Sequence, residues 1–368
     1  MAPPSSTPQW FTPVMGTAIV ATAVEALPIS SPVLDSVAVG AWALAVVLLG
    51  AAVTHAVRAY RRDRSLLQRE VADSAVAPFF GAPPMALLAV GGATLALAPV
   101  LGGTWPVVAD VALWTVGTAA GLTVAVAVPA RQFTTHRVGT DAASPTWLLP
   151  VVAPMVSAAT GAALADRLDS PALAQAVALA CLAMAGAAGI AAALTIAAVW
   201  WRLAHHQHAD ASTVPALWVV LGPLGQSVTV LAMLALHAGD ALPWVRQALA
   251  PAAILIGIPV LGFAVLWLAV AIAVAVRVAG RRLPYAMSWW SFTFPVGTCA
   301  TGAAGLATLT GSGALLALAV AFLAALLGGW AVSAWGTVRE LTRRRAAWGG
   351  ETLAAADADR TVAATYAI

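Results

Sequence analysis

Apolar residues gather into ten long stretches, at 10–28, 34–58, 79–101, 106–130, 146–165, 171–201, 214–238, 247–276, 286–308 and 312–337. A helix needs about 20 apolar residues to cross the hydrocarbon core of a bilayer. Each stretch therefore reads as one membrane span. The connections at 102–105 and 309–311 are so short that their neighbours must run antiparallel. The pattern predicts an all-α integral membrane protein with ten transmembrane helices paired as five hairpins.

The stretches are of two kinds. A proline-bearing segment recurs in every odd one, with Pro13, Pro83, Pro150, Pro223 and Pro295 as markers at steps of 70, 67, 73 and 72 residues. A fixed period marks a repeated structural unit, here a pair of spans. The odd stretches also carry Gly and hydroxyl residues, whereas the even ones are mainly Ala, Val and Leu, with Pro251 and Pro259 of the eighth as exceptions. Proline removes a backbone donor and frees a carbonyl one turn earlier, which lipid does not satisfy. The odd spans are thus expected inside, around a central pore, and the even spans outside, facing lipid.

Composition agrees. Of 368 residues, 61% are hydrophobic and 9% charged, against roughly 25% charged in soluble domains. All 18 basic residues are Arg. Sixteen of them fall on one side of the predicted bundle, and only Arg167 and Arg246 on the other. By the positive-inside rule both termini are cytoplasmic in a multi-pass cell-membrane protein. The same placement explains the basic balance without nucleic acid. Trp10, Trp105, Trp147, Trp200, Trp201, Trp244, Trp289, Trp290, Trp330 and Trp335 lie near span ends and read as interfacial anchors. Residues 1–9 form a short N-terminal tail without the basic start of a cleaved signal peptide. Residues 10–338 form the membrane domain, and 339–368 a cytoplasmic tail, weakly helical at its start and otherwise without regular structure.

Four segments together resemble the tellurite-resistance/dicarboxylate transporter family. They are Trp10-Phe11-x-x-Val14-Met15-Gly16-Thr17, Phe80-Gly81-Ala82-Pro83-Pro84-Met85, Gly222-Pro223-x-Gly225-Gln226-Ser227 and Trp289-Trp290-Ser291-Phe292-Thr293-Phe294-Pro295. That family includes bacterial tellurite-resistance proteins, fungal malate and sulfite transporters and slow-type plant anion channels. The resemblance implies a pore between helices 1, 3, 5, 7 and 9, a homotrimer with one pore per subunit, and a Phe of the ninth helix as gate. Phe294 is the matching residue and Phe292 the second candidate. Two helical positions differ by about 200°, so only one of the two points down the axis.

The candidate pore-lining set is Pro13, Gly16, Thr17, Gly81, Pro83, Pro150, Thr160, Gly222, Pro223, Gln226, Ser227, Thr293, Pro295 and Thr298. Hydroxyls and the Gln226 amide would replace part of an anion's hydration. The competing reading of each hydroxyl is a bond back to its own helix. No ionisable side chain sits mid-span in the odd helices; Glu25 and Asp110 lie near the outer ends of spans 1 and 4. Proton-coupled carriers use buried carboxylates or His, so this pattern favours passive conduction. The leading expectation is a passive channel for small anions such as chloride or nitrate. The alternative is a carrier or exporter for C4-dicarboxylates such as malate, or for oxyanions such as sulfite or tellurite. His205, His206 and His208 with Asp210 read as a solvated loop rather than a metal site, and Cys181 and Cys299 as packed small hydrophobes. No nucleotide-binding, hydrolase or metalloprotease motif is present, so neither an enzyme nor a bound cofactor is expected.

Overall fold

The computed structural model describes residues 6–139, 141–206, 213–278 and 285–365, with the side chains of the last helix described as far as Arg343. The described residues contain helices and no strands. Ten helices have 14 residues or more: α1 Thr12–Glu25, α2 Pro32–Arg62, α3 Ala82–Ala96, α4 Trp105–Thr134, α5 Leu148–Ala165, α6 Pro171–His206, α7 Leu221–His237, α8 Arg246–Val278, α9 Phe294–Thr310 and α10 Gly313–Thr365. Eight helical segments among the described residues are long and apolar enough to cross a membrane. The first and ninth of the ten expected spans are not among them; their α-helices, α1 and α9, have 14 and 17 residues.

Each odd helix is preceded by a 3-10 helix, at Thr7–Phe11, Ala77–Gly81, Pro145–Trp147, Val214–Val220 and Met287–Phe292. The five repeated prolines therefore stand in the first turn of an α-helix, just past this change of pitch. There the missing N–H is one the helix would leave unpaired anyway. The repeat proline leaves the α-helix in which it stands unbroken. It marks a joint near one end.

The odd helices close into a ring in chain order: α1 packs on α3, α3 on α5, α5 on α7, α7 on α9, and α9 back on α1. Each even helix lies in the outer groove between two successive odd ones: α2 on α1 and α3, α4 on α3 and α5, α6 on α5 and α7, α8 on α7 and α9, α10 on α9 and α1. Burial follows this division. In the most apolar window of an even helix 17–33% of residues are buried, against 67–83% in the segments of α3, α5 and α7. The even helices instead expose Val47, Val126, Leu194, Leu255 and Val338, as a lipid-facing surface requires.

All five even helices carry basic residues toward the end where the odd helices begin: Arg61 and Arg62, Arg131, Arg202, Arg277, and Arg339. The N-terminal segment joins the bundle earlier than expected. Thr7 and Pro8 are buried, and the Thr7 N–H donates to Glu70 Oε1 at 2.7 Å. Glu70, on the short helix Leu66–Ala72, also accepts the Tyr60 hydroxyl at 2.8 Å. At the other terminus helix continues through Thr365, so the tail is more regular than its composition implied.

Candidate functional site

A chain of three cavities runs from the arginine-bearing end toward the centre of the inner ring. The outermost holds about 400 Å³ and is walled by the connection before α5, the end of α6 and the fourth 3-10 helix. Thr146, Ala216 and Ser288 line both it and a second space of about 30 Å³. Met15, Leu149, Val219 and Pro295 then line both the second and a third space, of about 20 Å³. A cavity needs about 10–15 Å³ to hold one water, so the inner two are scarcely wider than a single molecule.

The third space is where all five inner helices meet. Met15 comes from α1, Met85 from α3, Leu149 and Val152 from α5, Gly222 and Pro223 from α7, and Phe294 and Pro295 from α9. Every side chain there is apolar. Phe294 is 3% exposed and is the first residue of α9. The joint before it differs from the other four. In those the 3-10 helix runs directly into the α-helix, but here Thr293 intervenes at φ −104°, ψ −83°. Phe292 faces elsewhere. Its ring meets Trp218 edge-on at 4.9 Å and Trp289 at 6.0 Å, and its backbone lies against Gly329 of α10.

Of the sequence candidates, Gly222, Pro223, Phe294 and Pro295 line the central space. Pro13 and Pro150 are buried at the joints of α1 and α5, and Pro83 is half-buried at that of α3. Gly16 is packed under Thr293 and Trp290, and Gly81 under the carbonyl of Leu149. These two glycines bring segments of the ring together rather than face its axis. Gln226 is buried one turn beyond Gly222 on α7.

The five hydroxyl residues of the predicted pore lining do not line the described cavities, and their protons go to backbone carbonyls. Thr17 donates to Pro13 at 2.7 Å, Thr160 to Val156 at 3.0 Å and Ser227 to Pro223 at 2.7 Å. Thr293 donates to Trp290 at 2.6 Å, and Thr298 to Pro295 at 2.7 Å. A hydroxyl buried in a helix finds its nearest acceptor one turn back. That local bond wins over a free donor held in an apolar channel. The central space is consequently an apolar constriction, a device that closes a pore by excluding water.

Sequence reasoning passed over Met15, Met85, Leu149, Val152 and Val219. Nothing in a run of apolar residues tells an axis-facing one from a packed one, although Met15 and Met85 each follow a repeat proline by two residues. It also treated Arg202 only as an orientation signal, yet Arg202 lines the outermost cavity. Asp110 of α4 is fully buried, and neither carboxylate oxygen has a hydrogen-bond partner. It lies against Gly91 of α3, on the side of that helix which meets α4. Cys181 and Cys299 are free and buried. His205 and His206 end α6, while His208 and Asp210 lie outside the described residues.

Comparison with known proteins gives this architecture its context. Residues 5–338 match the SLAC1 family model, described as a voltage-dependent anion channel. A sulfite efflux pump of Trichophyton rubrum is 29% identical over 302 residues, covering 80% of each chain. A second, from Arthroderma otae, is 28% identical over the same length and coverage. An uncharacterized transporter of Methanocaldococcus jannaschii is 25% identical over 293 residues, covering 79% of this chain and 80% of its own.

Proposed function

The chain belongs to the SLAC1/tellurite-resistance–dicarboxylate transporter family of membrane anion transporters, and from that premise we propose that it exports a small oxyanion of the sulfite type through the centre of its inner helix ring, with Phe294 as the movable plug. The observation that carries this reading is the line of three cavities that starts among polar side chains and narrows to the apolar space under Phe294. The relatives named sulfite efflux pumps, similar over 80% of both chains, move the preferred substrate from chloride or nitrate to sulfite or an anion like it. Both termini are cytoplasmic in this reading, so the wide cavity faces the cell interior, as an exporter needs. Three copies associate through their outer helices, with one pathway in each.

A passive channel for chloride or nitrate is the second reading. It is favoured by the absence of any ionisable side chain from the two inner cavities, since coupled carriers place such groups along the path.

The test is flux in liposomes holding purified wild-type protein or Phe294→Ala. Removing the ring clears the constriction. The variant is expected to pass labelled sulfite at least ten times faster than wild type, with chloride current rising less. A Phe294→Ala variant that moves neither ion faster than wild type would overturn the plug assignment. Chloride current without sulfite flux would select the channel reading. Phe292→Ala is expected to loosen the contact with α10 without raising flux.

A further inference from the structure

The outermost cavity is chemically unlike the two that follow. It has about 400 Å³, enough for an oxyanion with part of its water shell, whereas the next spaces have about 30 and 20 Å³. An ion passing inward must shed that water at their common wall. The groups able to take its place are gathered there.

Arg202 half-emerges from the end of α6 into this cavity. One guanidinium nitrogen, Nη1, donates to the carbonyl of Ala143 at 3.3 Å, which fixes the side chain in place. Its remaining N–H groups are uncommitted among the described residues, and no described carboxylate forms an ion pair with it. Asp141 is on the same cavity but exposed. On the wall shared with the second cavity stands Ser288, whose hydroxyl oxygen is shielded from solvent and has no partner. Ser144 and Thr146 bond hydroxyl to hydroxyl at 2.9 Å. One proton of that pair is used between them, and the other is left to donate outward. A guanidinium fork matches an oxyanion in two parallel hydrogen bonds, and hydroxyl donors complete the coordination that water gives up.

We propose that this antechamber is an oxyanion-binding site, in which Arg202, Ser288 and the Ser144–Thr146 pair hold a sulfite-like dianion at the threshold of the narrow path. Asp141 at the rim repels it and thereby keeps residence short. The inference rests on the reading that anions use the central path, but it can fail separately from it.

The experiment measures equilibrium binding of radiolabelled sulfite to detergent-purified full-length protein, and in parallel the concentration dependence of sulfite flux in liposomes. Arg202→Gln is expected to weaken sulfite binding at least tenfold and to raise the half-saturating concentration of flux, with little change in its maximum. Ser288→Ala should weaken binding several-fold, and Asp141→Asn should tighten it several-fold. Excess chloride should displace sulfite poorly. Phe294→Ala should raise the maximal flux without altering binding. Arg202 also holds the Ala143 carbonyl, so Ser288→Ala and Asp141→Asn keep the test decisive should Arg202→Gln fail to fold. Unchanged sulfite binding in both of those variants, or displacement by chloride as effective as by sulfite, overturns the site. Fast flux in Phe294→Ala would then still support the pathway. Binding that follows the three substitutions while no variant moves sulfite supports the site and overturns the export reading instead.

Discussion

At the scale of single residues, tryptophan has a role that its position along the chain did not disclose. Four even helices each donate one indole N–H to an inner element. Trp42 donates to the Thr94 hydroxyl at 2.9 Å, Trp114 to the Ser157 carbonyl at 2.9 Å, Trp267 to the Leu217 carbonyl at 2.9 Å and Trp330 to the Thr17 hydroxyl at 3.0 Å. Trp290, of the fifth 3-10 helix, reaches the other way, to Thr337 of α10 at 3.0 Å. Apolar lipid gives helices no hydrophobic reason to associate, so packing and interhelical hydrogen bonds carry that task, at about 0.6–2 kcal/mol per bond. Trp330→Phe keeps most of the ring contact and removes only the donor. It should lower the stability of the detergent-solubilised protein by about 1 kcal/mol, read as a lower midpoint of thermal unfolding, and a midpoint equal to wild type would deny the tether. Trp330 and Trp290 had read as interfacial anchors because a count of residues from a span end does not say which way an indole points. Asp110 is the converse case. A buried carboxylate with no partner costs several kcal/mol, so Asp110→Asn, nearly equal in shape and uncharged, is expected to leave the thermal midpoint unchanged or higher. A large fall would mean that the carboxylate has a partner in the membrane-embedded assembly.

At the scale of helices, the five-fold proline spacing was legible, and so was the division into inner and outer elements. Both follow from one rule, that backbone groups left unpaired are kept from lipid. What the spacing did not disclose is the change from 3-10 to α-helix ahead of every repeat proline. A 3-10 turn and an α-helical turn use the same residues, and only the register of their hydrogen bonds differs. The direction of the hydroxyls was hidden for a related reason, since a Thr facing the pore and a Thr bonded back to its own helix have the same spacing. Close helix crossing was hidden too, since Gly16 and Gly81 had read as pore lining. Gly225 of α7 meets the backbone of α9, and a Cβ there would overlap the nitrogen of Cys299 and the carbonyl carbon of Thr298. Backbone atoms do not rotate aside as a side chain would. Gly225→Ala must therefore push α7 from α9, with an overpacking cost of about 1–3 kcal/mol or more. The expected result is a lower thermal midpoint and a smaller yield of folded protein. A variant that matched wild type in both would show that the crossing has slack.

At the scale of the molecule, ring closure turns a linear repeat into a closed inner wall, the frame on which the proposed pathway depends. Each hairpin buries one helix and exposes the other, and five of them return to the start when α9 meets α1. Arginine then gives the two ends of that path different character. The wide cavity, lined in part by Arg202 and several hydroxyls, lies at the end carrying the basic turns of the even helices, and the positive-inside rule predicts that end to be cytoplasmic. Export through the path depends on this assignment, and a labelling experiment decides it. Cys181 and Cys299 are buried, so the native thiols should stay silent toward a membrane-impermeant maleimide. Ser65, between α2 and α3, and Ser170, between α5 and α6, are exposed at opposite ends. On intact cells Ser170→Cys is expected to be labelled at once, and Ser65→Cys only after the membrane is opened. The reverse pattern would place the antechamber outside. It would then receive anions from the medium, and the same chain of cavities would have to be read as an uptake route.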